Sequence, residues 1–262
     1  MEPIPPRQSD ILDLARQRGR VEVDGLADHF GVTPQTIRKD LNDLCDRDLL
    51  QRVHGGAVYP STITNYAYES RRVIAANEKQ RIAERAADLI PDNSSIILNI
   101  GTTTEQVAMA LKRHAGLMVI TNNIHVAHIL SDAPNAIEVV VAGGLLRKSD
   151  GGIVGEATVD FMRQFRVDVA VIGASAIDAD GTILDYDFRE VRISREIIAH
   201  ARQTMLVADV TKFDRSAPVR IANLADISTF VTDHAPPPDI VKLCADNEVR
   251  LEIAGIPAQA VA

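Results

Sequence analysis

The chain of 262 residues contains no tryptophan, and aromatic residues make up only 4% of it. A core built from such a chain is aliphatic. Cysteine occurs twice, at Cys45 and Cys244, far apart in sequence. That excludes a disulfide framework and a cysteine metal site, and it fits a reducing compartment. No apolar run approaches the ~20 residues that a membrane span needs. The first residues, Met1-Glu2-Pro3-Ile4-Pro5-Pro6, show no basic stretch followed by an apolar one, so no signal peptide is expected. Positive charge is also in deficit, with 28 Lys/Arg against 36 Asp/Glu and a net charge of −8. A uniformly basic nucleic-acid binder is thereby disfavoured, but a small basic surface on an acidic body is not. What remains, 46% hydrophobic and 24% charged, is the make-up of an ordinary globular protein, expected in the cytoplasm.

The pattern changes twice along the chain. Residues 1–57 carry helical periodicity. Residues 58–76 are polar without a clear period and read as a linker. From 77 to 256, short β-branched runs alternate with amphipathic stretches. The runs are Ile96–Leu98, Met118–Ile120, Ile137–Val141, Val167–Ile172, Met205–Ala208 and Thr229–Val231. Helices fit between most of them, at Glu78–Ile90, Thr104–Lys112, Asn123–Leu130, Glu156–Phe165 and Glu190–Ala201. This alternation predicts an α/β domain with a mostly parallel sheet covered on both faces.

In the N-terminal part, Ser9 is placed to cap a first helix and Asp24 a second, with Leu26, Ala27 and Phe30 inward. Gly31-Val32-Thr33 forms a tight turn. Thr33 is an N-cap residue and Pro34 suits the first helical position, where its missing N–H costs nothing. In the helix from Pro34 to about Asp46, Ile37, Leu41 and Leu44 form the buried stripe. Gln35, Lys39 and Asn42 face away from it, flanked by Thr36 and Arg38. The stretch Leu49–Ala57 alternates and ends in glycines, which suits a hairpin wing with Arg52 and His54 outward. Together these make a winged helix-turn-helix whose third helix can reach base edges. Gln pairs bidentately with adenine, and Arg or Lys with guanine. The expected DNA-binding residues are Thr33, Gln35, Thr36, Arg38, Lys39, Arg52 and His54. Against this stands the local charge: residues 1–57 hold 8 Lys/Arg and 10 Asp/Glu. A three-helix module for protein contacts is the competing reading.

In an open α/β sheet, ligands bind at the carboxyl ends of the strands. Several polar segments fall there: Gly101-Thr102-Thr103-Thr104, Thr121-Asn122-Asn123, Gly143-Gly144 with Arg147, Gly173-Ala174-Ser175, and Asp209 with Lys212. A glycine followed by hydroxyl residues at a helix N-terminus makes an anion cradle, because backbone N–H groups and the helix dipole both favour a phosphate. Lys212 and Arg147 would add charge. Asp185 and Glu190 would accept hydrogen bonds from ligand hydroxyls. The expected effector residues are therefore Gly101, Thr102, Thr103, Thr104, Thr121, Asn122, Gly143, Gly144, Arg147, Gly173, Asp185, Glu190 and Lys212. No metal cluster and no nucleophile–base pair stand out. His114, His125, His128, His200 and His234 lack ligand spacing, and His125 and His128 are expected to face solvent. The glycines at 151, 152 and 155 do not form a dinucleotide fingerprint.

The segment Val32–Leu44 followed by Arg52-Val53-His54-Gly55-Gly56-Ala57 closely resembles the winged helix-turn-helix of the DeoR family of bacterial repressors. Ile100–Thr104, Thr121–Asn123, Ala142–Arg147, Gly155–Thr158 and Asp209–Phe213 resemble that family's sensor blocks. The resemblance covers nearly the whole chain. Asp150–Phe161, Gln164–Arg166 and Thr232–Pro238 are most similar to family members that respond to glycerol 3-phosphate. The resemblance implies a sugar-phosphate-isomerase-like sensor domain, operator DNA as a partner, self-association as a dimer or tetramer, and no cofactor. It implies glycerol 3-phosphate, or a related phosphorylated polyol or sugar, as inducer. Where many members carry Asp, this chain has Asn99, whose amide both donates and accepts. The alternatives are a repressor responding to another sugar phosphate, and an enzyme in which Asp185, Glu190 and Lys212 act as acid, base and electrophile.

Overall fold

A computed structural model describes residues 4–18, 20–47, 49–53, 55–58 and 68–255. The chain divides into two compact units, 1–65 and 66–262. His54 and residues 59–67, the latter within the expected linker, lie outside the described residues.

The first unit runs α1 (Pro6–Arg18), β1 (Arg20–Glu22), α2 (Val23–Phe30), α3 (Pro34–Asp46), β2 (Gln51–Val53) and β3 (Gly56–Val58). The turn into α3 forms for the reasons the sequence suggests. Gly31 takes the left-handed conformation that closes α2, and the Thr33 hydroxyl accepts from the Thr36 amide at 3.3 Å. Ile37, Leu41 and Leu44 are fully buried and meet Ile11, Ala15, Leu26 and Leu50 in one core. The wing pairs β2 with β3, and β3 also pairs with β1. Two caps differ from expectation. α1 already begins at Pro6, so Ser9 lies inside it. α2 begins at Val23, and Asp24 sits in its first turn, where the dipole favours a carboxylate.

The second unit runs α4 (Tyr68–Val73), α5 (Ala76–Asp88), β4 (Ser95–Leu98), α6 (Thr102–Leu111), β5 (Leu117–Thr121), α7 (Ile124–Ser131), β6 (Ile137–Val141), β7 (Leu145–Arg147), β8 (Gly152–Val154), α8 (Glu156–Met162), β9 (Val167–Ile172), β10 (Ala176–Ile177), β11 (Thr182–Asp185), α9 (Phe188–Ala199), β12 (Ala201–Val207), β13 (Val219–Asn223), β14 (Thr229–Thr232), α10 (Pro238–Asp246) and β15 (Arg250–Ile253). Seven strands form one parallel sheet in the order β15-β14-β12-β9-β4-β5-β6. Successive residues point to opposite faces, so Ile96 and Leu98 join the core under α5, α6 and α7. Ile97, Ala170, Ile172 and Leu206 join the core under α8, α9 and α10. β10, β11 and β13 make a separate antiparallel sheet.

Among the elements that the hydrophobic pattern does not show are β7, β8, β10, β11, β13, β15, α10 and α4. β15 alternates charged and apolar residues, and its buried Glu252 is neutralised by Arg85 at 2.7 Å and Arg250 at 2.5 Å. α10 starts behind the run Pro236–Pro238, with proline in its first turn. Residues 68–73, expected in the linker, form α4, which is held by side-chain contacts rather than by an apolar stripe.

Within α3, Asp40 points inward and is buried. It accepts from Arg7 Nε at 2.6 Å and from Gln8 Nε2 at 3.2 Å, fastening α1 to α3. Asp40→Ala should destabilise the first unit by about 1–3 kcal/mol, because Gln8 is left buried without that acceptor. Urea unfolding of the full chain, followed through the transition of this unit, checks it.

Candidate functional site

The strand order reverses at β4. β5 and β6 extend the sheet on one side, and the next parallel strand, β9, returns to the other. The crevice above the carboxyl ends of β4 and β9 is where an open α/β sheet binds ligands. β4 runs through Asn99 and Ile100 into Gly101, which precedes α6 with φ 153° and no side-chain cap. A Cβ at Gly101 would lie 3.2 Å from Thr104 Oγ1. The first turn of α6, Thr102 to Glu105, is buried and its N-terminal amides face this crevice end of the strand.

Not every residue expected here is available to a ligand. The Thr104 hydroxyl donates to the carbonyls of Gly101 (2.7 Å) or Asn99 (2.8 Å) and is fully buried. Thr121 donates to the Leu98 carbonyl at 2.7 Å and accepts from the Asn123 amide at 3.0 Å. Both hydroxyls build the loops. Asn99 does the same: its Nδ2 donates to Ser194 Oγ at 2.7 Å and its Oδ1 accepts from the Ile100 amide at 2.8 Å. The amide thus ties the end of β4 to α9, donating to a Ser194 hydroxyl whose own proton goes to the Glu190 carbonyl at 3.1 Å. Gly143 and Gly144 serve packing, with the Gly143 carbonyl accepting from Thr158 and a Cβ on Gly144 falling 2.2 Å from Thr158 Oγ1. Gly173 stays open, with nothing within 4 Å of a built Cβ. Asn122 is buried. Its Nδ2 donates to the Ile153 carbonyl, while its Oδ1 has no hydrogen-bond partner among the described residues.

A cluster of cations lies at this crevice. Lys212, in a short 3-10 turn after β12, is buried. Burial pushes its ammonium down to about 7, against the pull of Asp209 and with the push of Arg215, Lys79 and Arg71. Lys79, on α5, is lowered to about 8, again first by burial. Burial works against the charge of Asp209 as well, but Lys212, the Thr211 hydroxyl and Lys79 hold it below its ordinary value. Asp209 Oδ2 and Arg71 Nε are buried without hydrogen-bond partners among the described residues. Arg71 and Lys79 were not anticipated as site residues. Arg71 sits in the expected linker, where no apolar period marks a helix, and Lys79 in the first turn of the expected helix Glu78–Ile90.

Arg147 differs from its expected role. Its guanidinium meets Asp150 at 2.7 and 2.8 Å, Asp187 at 2.8 Å, and Glu190. Three carboxylates on one cation leave no positive excess for a phosphate. Burial and the neighbouring Asp185 push Glu190 up to about 8, against Arg147. Asp185 is also raised by burial, although it accepts from Ser175 Oγ at 3.0 Å and the Tyr186 amide at 2.6 Å. This acidic side adjoins the cationic one through Arg71, which reaches Asp150 at 3.3 Å. His125, expected in solvent, is half-buried and stacked on Tyr68, with ring centroids 5.0 Å apart. His128 is exposed as expected.

On the first unit, Gln35, Arg38, Lys39 and Asn42 are exposed together on α3, and Thr36 is half-buried. Thr33 is exposed at the start of the same helix and Arg52 on the wing. Asp40, on the same helix, is buried, with its carboxylate held by Arg7 and Gln8.

Comparison with known proteins covers both units. The model for a DeoR-like helix-turn-helix domain matches residues 7–63, and that for a DeoR C-terminal sensor domain matches residues 74–234. The chain is similar to the glycerol-3-phosphate regulon repressor of Escherichia coli, with 42% identity over 94% of this chain and 98% of that protein. It is 46% identical to the protein of the same name from Haemophilus influenzae, over 94% of this chain and 95% of the relative. Among solved structures, ribose 5-phosphate isomerase A from Methanocaldococcus jannaschii overlaps 53% of this chain and 55% of its own, with 14% identity and a TM-score of 0.40. Among the described residues, no helix is long and apolar enough to cross a membrane.

The two depressed lysines make stability depend on pH. Folded, they release protons near pH 7 and 8; unfolded, near the ordinary 10.5. The unfolded chain therefore holds more protons in between, and stability from these groups rises with pH across that window. In Lys212→Met the rise should be reduced to the share from Lys79. Urea unfolding of the second unit at a series of pH values between 6.5 and 10 checks the slope.

Proposed function

Because the chain belongs to the DeoR family, we propose that it is a DNA-binding repressor released from its operator by a small phosphorylated metabolite, with glycerol 3-phosphate as the inducer. The observation that carries the effector reading is the pair of buried ammonium groups, Lys79 and Lys212, beside Arg71, whose Nε has no hydrogen-bond partner among the described residues, with the uncapped N-terminus of α6. Buried charge is costly unless paired, so such a cluster calls for an anion. A phosphate would take the α6 amides and Thr102 or Thr103, with Lys212 and Lys79 as counter-ions. Asp185 and Glu190, on the acidic side, would face the hydroxyl end of the ligand. Arg147 would position those carboxylates rather than bind the phosphate. The names of the two relatives above support glycerol 3-phosphate over other phosphorylated polyols and sugars.

For DNA, α3 would enter the major groove with Gln35, Arg38, Lys39 and Asn42, while Arg52 contacts phosphate. Two copies on a pseudo-palindromic site suit a self-associating protein. Effector binding must favour one state of the protein over the other to change operator affinity. The exposed α3 face also favours regulation over catalysis, since an isomerase needs no such helix.

Gln35→Ala should cost about 1–3 kcal/mol of specific operator binding if Gln35 reads a base, and Arg38→Ala should abolish specific binding with the second unit still folded. Arg52→Ala should weaken all DNA sequences alike and reduce the log–log salt slope by about one. In a titration of the operator complex, glycerol 3-phosphate should release DNA and glycerol should not. Lys212→Ala should weaken that release by about 1.5–3 kcal/mol, without changing operator affinity in the absence of ligand. Release by a pentose or hexose phosphate but not by glycerol 3-phosphate would move the assignment to another inducer. Turnover of a sugar phosphate by the purified protein would instead restore the enzyme reading.

A further inference from the structure

The six-residue helix α4 lies where the chain enters the second unit, and its carboxyl end points at the cation cluster. Its last carbonyls are held by side chains of the effector crevice. Lys79 Nζ donates to the carbonyl of Arg71 and, at 2.6 Å, to that of Ile74. The Thr102 hydroxyl lies 3.4 Å from the same Arg71 carbonyl. An ammonium and a first-turn hydroxyl of α6 are donors of the kind a phosphate oxygen takes. The carbonyl end of α4, the negative pole of its dipole, already sits on both.

The joint behind α4 is strained. Ala75 stands between α4 and α5 with φ 53° and ψ 38°, a left-handed conformation that non-glycine residues avoid. At its other end α4 is fastened by Tyr68, whose hydroxyl donates to Glu105 Oε2 at 2.8 Å and whose ring stacks on His125. Glu105 is itself in the first turn of α6, and its Oε1 accepts from Asn123 Nδ2 at 3.2 Å. Strain held by a few removable contacts is what a two-state element needs.

We infer that the carbonyl end of α4 is a resident stand-in for the effector's phosphate, and that effector binding displaces α4 and so reaches the DNA-binding unit through the chain that leads into it. The inference rests on the effector reading above. A phosphate that recruits Lys79 and Thr102 strips the Arg71 carbonyl of both donors, while the Ala75 strain is relieved on release. Occupancy and docked α4 then exclude one another, which supplies the difference in affinity between two states that induction requires.

The test uses the full chain with glycerol 3-phosphate and, separately, inorganic phosphate. Binding is measured by calorimetry, α4 by hydrogen exchange of peptides covering residues 68–78, and coupling by operator release. Binding should speed exchange in that peptide. Ala75→Gly, which removes the strain that favours release, should raise the ligand concentration for half-release about two- to five-fold. Ala75→Val, a β-branched residue in the same backbone conformation, should lower it and weaken operator binding without ligand. If ligand binds and releases DNA while exchange is unchanged or slowed, and Ala75→Gly behaves like the parent, α4 is not the displaced element and the effector reading stands. If neither anion binds by calorimetry, glycerol 3-phosphate is not the inducer and the displacement of α4 by its phosphate falls with it.

Discussion

Two ammonium groups buried beside one carboxylate set the character of the second unit. Lys79 and Lys212 come from opposite ends of the sensor sequence and meet at the carboxyl ends of the parallel strands, with Asp209 as their main counter-charge. Burial of a cation without full pairing is unfavourable, and here it is unfavourable twice. The fold bears this cost through a large aliphatic core on each face of a seven-stranded sheet. The reversal of strand order at β4 opens the crevice, the absence of a cap on α6 leaves its amides available, and Asn99 fixes the loop between them. Each of these features matters only because positive charge is concentrated there.

The same unit keeps an opposite charge a short way off. Arg147 is surrounded by Asp150, Asp187 and Glu190, and Asp185 stands behind them. A site with a cationic end and an acidic end discriminates by polarity along its length. A phosphate is drawn to one end, and ligand hydroxyls to carboxylates at the other. Arg71 spans the two, with its side chain at Asp150 and its carbonyl on Lys79.

Much of this was legible in the sequence, and the failures have physical causes. The six strands with continuous β-branched runs were readable because a parallel sheet buried on both faces needs them. The turn before α3 was readable because Gly31, Thr33 and Pro34 each have one strong local preference. The glycine–threonine loop falls at the carboxyl end of β4, where the sequence pattern places it. What misled was reading polar side chains one at a time. Thr104, Thr121 and Asn99 look like ligand contacts in a string of letters, but each closes its own loop. Arg147 looks like a phosphate cation until its three carboxylates, brought from 3, 40 and 43 residues away, are in place. Arg71 went unnoticed because α4 is held by tertiary hydrogen bonds and one stacked ring, which leave no period behind.

Net charge misled in a similar way, and the first unit shows why. Ten acids against eight bases over residues 1–57 argue against a DNA-binding surface. Electrostatic attraction to a phosphate backbone acts over about one Debye length, roughly 8–10 Å, so arrangement outweighs the sum. Asp40 lies in the middle of α3, yet its carboxylate turns inward and is met by Arg7 and Gln8. Removing that one acid from the outer face leaves Gln35, Arg38, Lys39 and Asn42 together, with no exposed carboxylate between the first of them and the last. The contact that fastens α1 to α3 therefore also sets the sign of the surface that α3 presents.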